Sequence, residues 1–306
     1  MNRSRFELLI LGSSAAIPTS ERNQTSQILN ICERWFLIDC GEGTQIQLRR
    51  FKSKLQAIDH IFISHLHGDH FFGLPGLISS MHLLGRKQDL NIYGPPALQS
   101  VIETVIQASE TVLSFRINWQ VTQNKKQKLL FEDDKVEVYS FPLKHRIYCT
   151  GFLFREKPLL RNIDKFQLEK HGLSTADIPA LRAGKDVKNK DGKKIKNTAV
   201  TLDPPLPRSY AYCSDTAYSK KVCSFIQKTD LLYHESTFLE DNKERAKKTF
   251  HSTAAQAAQI ALEAGAGALL LGHFSTRYTD LNQFLEEAKP IFSNVSLGID
   301  GKKINL

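Results

Sequence analysis

Between Ser64 and His70 the chain reads Ser-His-Leu-His-Gly-Asp-His, with three histidines and an aspartate in six positions directly after an apolar run. Imidazole nitrogen and carboxylate oxygen are ligands for zinc and for other first-row ions. A lone histidine on an apolar face is usually a core residue, but this many polar groups in one turn are costly to bury without an ion. The turn therefore reads as a metal site. One tetrahedral catalytic zinc takes three protein ligands and a water, so His65, His67, Asp69 and His70 could begin two sites. His145, Asp215 and His273, each just past an apolar strand, are candidates to complete them. An aspartate can bridge two ions, which makes Asp215 the natural bridging candidate. Two ions about 3.5–4 Å apart form the clamp expected for in-line attack on a phosphodiester, with solvent between them as the nucleophile.

Such ligands need a scaffold that ends its strands at one edge. Phe6–Leu11, Trp35–Ile38 and Ile58–Ser64 read as short strands, and Asn91–Gly94, Val136–Phe141 and Gly151–Phe154 continue the series. A helix is expected over Phe71–Leu84, with Pro75 in its first turns, where proline is tolerated. Another should run from Pro95 and Pro96 to about Ala108, with Leu98, Val101, Ile102, Val105 and Ile106 at helical spacing. In the second half, Tyr210–Cys213 ends in Ser214 and Asp215, Leu231–Tyr233 in His234 and Glu235, and Ala268–Leu271 in Gly272 and His273. An alanine-rich helix from about Ser252 to Ala264 precedes the last of these strands. Strands alternating with helices imply an α/β layer architecture. The polar residues sit just past the strand ends, where such folds build their sites.

The 306 residues are 41% hydrophobic, enough for a sizeable core, and carry a formal charge of +9. A basic balance favours polyanionic partners without saying anything of the fold. Cys32, Cys40, Cys149, Cys213 and Cys223 are scattered and form no C-x-x-C pair, which argues against a disulfide framework or a cysteine zinc site. Arg3 and Arg5 before an apolar run look superficially like a signal peptide, but Glu7 interrupts that run and a first strand is the better reading. No apolar stretch approaches the ~20 residues that span a bilayer, so the chain is expected to be soluble and cytoplasmic. From about Arg155 to Arg208 charge density rises and apolar periodicity weakens, most of all across Arg182–Asn197. Such a stretch is either a solvated surface insert or a flexible basic arm that grips phosphates away from the chemistry. Lys185, Lys188, Lys190, Lys193 and Lys194 are its candidate contacts. The chain, 1–306, is read as one domain with this arm inserted at about 155–208.

The H-x-H-x-D-H turn with the later His145, Asp215 and His273 resembles the metallo-β-lactamase superfamily. That resemblance implies an α/β fold, a four-layer αβ/βα sandwich with the site at the strand ends between two sheets. The superfamily includes lactamases, thiolesterases, phosphodiesterases and nucleases, so the turn alone does not choose a substrate. Further segments do. Gly12–Pro18 with Arg22 and Asn23, Asp39–Gln45, Pro142–Arg146, His234–Thr237, His251–Thr253 and Gly272–Tyr278 are similar, in order and over nearly the whole chain, to the ribonuclease Z family of tRNA 3′-processing endonucleases, in its short, homodimeric form. Ser236 departs from the alanine often found there, a small change that leaves His234 and Glu235 in place. The insert matches that family's tRNA-gripping arm in position and only loosely in detail.

The resemblance implies two Zn2+ per subunit, one held by His65, His67 and His145, the other by Asp69, His70 and His273, with Asp215 between them. Manganese or iron could substitute. It further implies precursor tRNA as substrate and self-association into a homodimer. Hydrolysis is expected just after the unpaired nucleotide that follows the acceptor stem, leaving a tRNA 3′-hydroxyl. Expelling the ribose 3′ oxygen needs a proton, and His251 is the candidate general acid, kept charged by Glu235. The bland alternative is that His251 merely helps to cap the following helix with Ser252 or Thr253. Asp69 could also orient the attacking hydroxide, and His234 either supports the site or is a satisfied histidine at a strand end. Lys144 and Arg277 are candidates to neutralise phosphate, and Glu42, Thr44 and Gln45 to line the pocket for the RNA 3′ segment. His60, His82 and His171 receive no role. Two competing readings keep the ion ligands. A phosphodiesterase-like or arylsulfatase-like hydrolase of a small substrate would gain nothing from the lysine-rich insert. A non-catalytic RNA-binding module would have no need of a general acid.

Overall fold

Alternation along Arg34–Cys40 shows how the layers arise: Phe36 and Ile38 face the space between two sheets, while Leu37 and Cys40 pack beneath helices on the other side. The computed structural model describes residues 4–306, so Arg3 of the N-terminal basic pair lies outside the described residues. Its first sheet has seven strands in the order Lys303–Asn305, Phe6–Gly12, Ser26–Ile31, Arg34–Cys40, Ile58–Phe62, Leu90–Gly94 and Ile117–Val121. The second, also seven-stranded, runs Val295–Leu297, Ala268–Gly272, Leu231–Glu235, Ser209–Cys213, Thr150–Glu156, Val136–Pro142 and Lys128–Glu132. Its first four strands are parallel, and a parallel strand covered on both faces reads as an unbroken apolar run.

Phe36, Phe62, Phe152, Phe154, Tyr210 and Tyr212 fill the space between the sheets, each large side chain worth roughly 1.5–3 kcal/mol when fully buried. Helices Leu74–Leu83 and Leu98–Ala108 cover the first sheet through Leu77, Ile78, Met81 and Ile102. Helix Ala254–Ala264 covers the second through Ala257, Ala258 and Ala261. A capping box between Thr253 and Gln256 starts that helix, and left-handed Gly265 ends it. The result is the αβ/βα sandwich.

The helix expected over Phe71–Leu84 is in fact two, Gly68–Phe71 and Leu74–Leu83, with Pro75 in the first turn of the second. At the break the backbone packs tightly against the first sheet. Gly73 lies so close to the strand end that a Cβ there would sit 2.1 Å from the Gly41 carbonyl oxygen. Its N–H instead donates to the Cys40 carbonyl at 2.9 Å.

Residues 156–207 form a compact unit apart from the remainder of the described chain. The sequence reads them as loosely patterned, yet Leu168, Leu173, Leu181, Ile195 and Val200 close a small core. Around it stand helices Lys165–Lys170 and Ile178–Arg182, the short hairpin Val187–Lys188 with Lys194–Ile195, and the strand pair Asn162–Ile163 with Thr201–Leu202. These elements are too short to repeat an apolar period, which is why no pattern was legible. On the hairpin Val187–Lys188 with Lys194–Ile195, the apolar residues turn to the core, and Lys188, Lys190, Lys193 and Lys194 are exposed. All five cysteines are free. Among the described residues no helix is long and apolar enough to cross a membrane.

Candidate metal centre

The strand Ile58–Phe62 runs into the turn that carries His65, His67, Asp69 and His70, and the ends of three further segments meet it. His65, His67, His145 and Asp215 form one group whose potential ligand atoms all lie within 4.8 Å of one another, and Asp69, His70 and His273 form another. Asp215 faces both. Its Oδ2 is 3.5 Å from His65 Nε2, while Oδ1 is 3.4 Å from His70 Nε2 and 3.2 Å from His273 Nε2. Asp69 Oδ2 lies 3.4 Å from His273 Nε2 and accepts the Ala16 N–H at 2.8 Å.

The outward ring nitrogens are occupied, which turns the inward ones toward the cluster. His70 Nδ1 meets Asp39 Oδ2 at 2.7 Å, His145 Nδ1 the Phe250 carbonyl at 3.1 Å, and His273 Nδ1 the Thr237 hydroxyl at 2.9 Å. Asp39 is fully buried and also accepts from Ser64 N and Oγ and from the Tyr212 hydroxyl. Four non-glycine residues around the site, Ala16, Asp39, Phe250 and His273, adopt left-handed backbone, with φ of 58°, 54°, 60° and 60°. That conformation is sterically costly for residues with a Cβ.

The donor set fits a cation. Burial pushes the His65 ring down to about 4, with the neighbouring His70 adding to the effect, so His65 presents a neutral nitrogen. Burial acts against charge on His70 too, but Asp215, Asp69 and Asp39 outweigh it and hold that ring well above its usual range. Three buried carboxylates thus converge on one imidazole. Asp215 Oδ1, buried, has no hydrogen-bond partner among the described residues, a costly state that a bound ion removes.

His251 stands at the edge of this cluster. Its Nδ1 is 3.0 Å from Glu235 Oε1. Burial lowers the ring's proton affinity, but Glu235 and then Asp215 outweigh it and push the ring up to about 9. Glu235, fully buried, also accepts the N–H groups of Thr216, Thr237 and Ser252. Cap duty belongs to Thr253, whose side chain accepts from Gln256 N, and not to His251.

A cavity of about 610 Å³ opens over the cluster, lined by His67, Asp69, His145, Asp215, His251 and His273. Arg146, Arg245, Lys248 and Arg277 edge it. Arg277 is therefore where the sequence places it, whereas Lys144 lines a different groove. Glu42, Thr44 and Gln45 do not line the cavity either. Thr44 is buried and donates to the Gly41 carbonyl, Gln45 accepts from Ser80, and the Glu42 N–H donates to Gln24. The glycine turn simply starts helix Thr44–Arg50. His234 bonds the Glu235 carbonyl and belongs to none of the three potential ligand groups, the third being Asp215, His251 and His273. Sequence reasoning missed Asp39, Thr237, Arg245 and Lys248. For the last two a signal existed: cations at i and i+3 on the helix just before His251.

A family model described as Anti-Pycsar protein Apyc1 matches residues 6–177, a span that holds the H-x-H-x-D-H turn and His145 but stops short of Asp215, His251 and His273. Relatives over the whole length are more informative. The chain is 48% identical over 297 residues to Ribonuclease Z of Cytophaga hutchinsonii, covering 97% of this chain and 95% of that one. It is 42% identical over 301 residues to Ribonuclease Z of Parabacteroides distasonis, covering 98% and 99%. Among solved structures, the short form of human tRNase Z superposes with a TM-score of 0.71 at 27% identity, covering 97% of this chain and 98% of that one. The metallo-β-lactamase fold protein YhfI from Bacillus subtilis shares the fold at 19% identity, with a TM-score of 0.70 over 99% of this chain and 100% of that one. With the ligand cluster and full-length identities of this size in agreement, the chain belongs to the ribonuclease Z family.

Proposed function

We propose that the chain is a zinc-dependent endoribonuclease that removes the 3′ trailer of precursor tRNA, cutting after the discriminator nucleotide and leaving a tRNA 3′-hydroxyl. The observation that carries this reading is His251: an imidazole charged by Glu235 that faces the same cavity as the ligand cluster. His65, His67 and His145 would hold one Zn2+, and Asp69, His70 and His273 the other, with Asp215 shared. When bound, two divalent cations supply Lewis acidity and an ionised water near neutral pH.

The residues of the chain do the rest. Glu235 engages Nδ1 of His251, so the Nε2 proton is the one available to the departing ribose 3′ oxygen. Asp69, fixed by the Ala16 N–H, orients the attacking oxygen. Arg146, Arg245, Lys248 and Arg277 neutralise phosphates at the cavity edge. In residues 156–207 the exposed Lys185, Lys188, Lys190, Lys193 and Lys194 grip the tRNA body away from the chemistry. A homodimer is part of the proposal. Exposed Ile46, Leu83 and Leu84 beside a groove of about 270 Å³ offer an apolar face for a second copy, which sedimentation would detect. Five free cysteines suit a cytoplasmic location.

The deciding experiment incubates purified protein with a 3′-extended precursor tRNA, with and without chelator, and maps the product ends. A single chelator-sensitive cut beside the acceptor stem, absent from His65→Ala, is expected. No cut, alongside metal-dependent hydrolysis of a simple phosphodiester, would retain the metal chemistry and remove tRNA as substrate.

A further inference from the structure

The loop Pro142–Arg146 has two sides. His145 and Arg146 line the cavity over the ligand cluster, but Pro142, Leu143 and Lys144 line a second groove of about 840 Å³. Thr216, next to the ligand Asp215, also lines it. The two loops are tied together: Lys144 N donates to Thr216 Oγ1 at 3.1 Å, and Ala217 N donates to the Lys144 carbonyl at 2.8 Å. The groove is therefore lined by Lys144 and Thr216, the sequence neighbours of His145 and Asp215 on two tied loops.

Its chemistry is that of a single-strand site. Lys125, Lys144 and Lys221 are exposed around it, no acidic residue lines it, and none of the three makes an ion pair among the described residues. Leu143, Val222 and Phe225 give it an apolar floor. Cations for phosphates over an apolar surface for bases is how proteins bind unpaired nucleic acid without reading its sequence.

We infer that this groove binds the backbone of the single-stranded RNA leaving the site on the 3′ side of the cut. The inference rests on the proposed tRNA substrate for its direction, since on the other side of the cut a single unpaired nucleotide leads straight into the acceptor stem, whereas on this side the strand continues unpaired.

Two measurements on the metal-loaded protein test it, with Lys125→Glu/Lys221→Glu as the variant. The first is binding of a 5′-phosphorylated hexauridylate by fluorescence anisotropy across a salt series, which needs no cleavage. The variant should bind about tenfold more weakly, with its log–log salt slope smaller by about 1.4 for two lost phosphate contacts. The second compares KM for precursors with a six-nucleotide and a one-nucleotide trailer. The variant should raise KM severalfold for the long trailer and leave the short one unchanged. Unchanged hexauridylate binding, equal KM effects at both trailer lengths, or full displacement of the oligonucleotide by millimolar inorganic phosphate would each overturn the assignment. A wild type that binds hexauridylate through these lysines but cuts no precursor would keep the groove as a single-strand site and remove the tRNA reading instead.

Discussion

His60 and His251 are both largely removed from solvent, yet they sit at opposite ends of the imidazole range. His60 lies against the aromatic layer between the sheets, 4.3 Å from the Phe131 ring centroid and 5.5 Å from that of Phe36, with the Tyr93 hydroxyl at 3.1 Å from Nδ1. Burial pushes it down to about 4. His251 pays the same desolvation at the edge of the sandwich, but a buried carboxylate at 3.0 Å reverses the outcome and lifts it to about 9. The lesson concerns placement. Apolar depth strips an imidazole of its proton, and buried carboxylates facing it hold the proton on.

The largest effect is expected from removing a buried carboxylate that faces His251 and the ligand groups and has no counterpart at His60. Asp215→Asn leaves the ligand groups without their shared carboxylate, and we expect turnover of precursor tRNA to fall at least 10³-fold, with bound zinc by elemental analysis below the wild-type stoichiometry. His251→Ala should lower single-turnover cleavage by about 10²–10⁴-fold while zinc content stays at the wild-type level. Retained zinc with unaltered cleavage would refute the acid assignment. In wild type the rate should fall as pH rises and His251 loses its proton, at or below about 9 because bound cations lower the ring's affinity. His251→Ala should lack that limb.

A smaller effect is expected from Lys188→Ala/Lys190→Ala/Lys193→Ala on residues 156–207: KM for tRNA raised about tenfold and a shallower salt dependence, with hydrolysis of a small phosphodiester spared. The smallest concerns His60. Its folded-state value of about 4 lies below an unfolded value near 6.5, so the unfolded chain binds the proton more readily between them. Stability is therefore lost as pH falls through that window. His60→Phe should recover roughly 1–2 kcal/mol of that loss at pH 4.5, read from urea midpoints at pH 7.5 and 4.5.

The ligand cluster was legible because its residues are chemically rare neighbours at the ends of unbroken apolar strands, and strand ends are what an α/β sandwich brings together. Asp39 was not. It lies at the end of the strand Arg34–Cys40 just before a glycine-rich turn, where an aspartate reads equally well as a surface residue, and only the packing of Ser64, His70 and Tyr212 around it gives it a task. In the turn that follows, Thr44 and Gln45 open helix Thr44–Arg50 and, with Glu42, lie outside the lining of the cavity over the cluster. Strands Ser26–Ile31 and Lys303–Asn305 escaped notice because polar residues interrupt them. Their burial is conferred by neighbours far along the chain.

The left-handed backbone at Ala16, Asp39, Phe250 and His273 gives the site a mechanical character. Four tensioned positions, each costing roughly 1–3 kcal/mol, are held in place by the rigid sheets behind them, so the ligand edge behaves as a cocked spring. Selection for heat tolerance would find relief there first, for instance through Phe250→Gly, which keeps the carbonyl that steadies His145. The slack gained would loosen the aim of the ligands, and faster ion loss would be the first symptom.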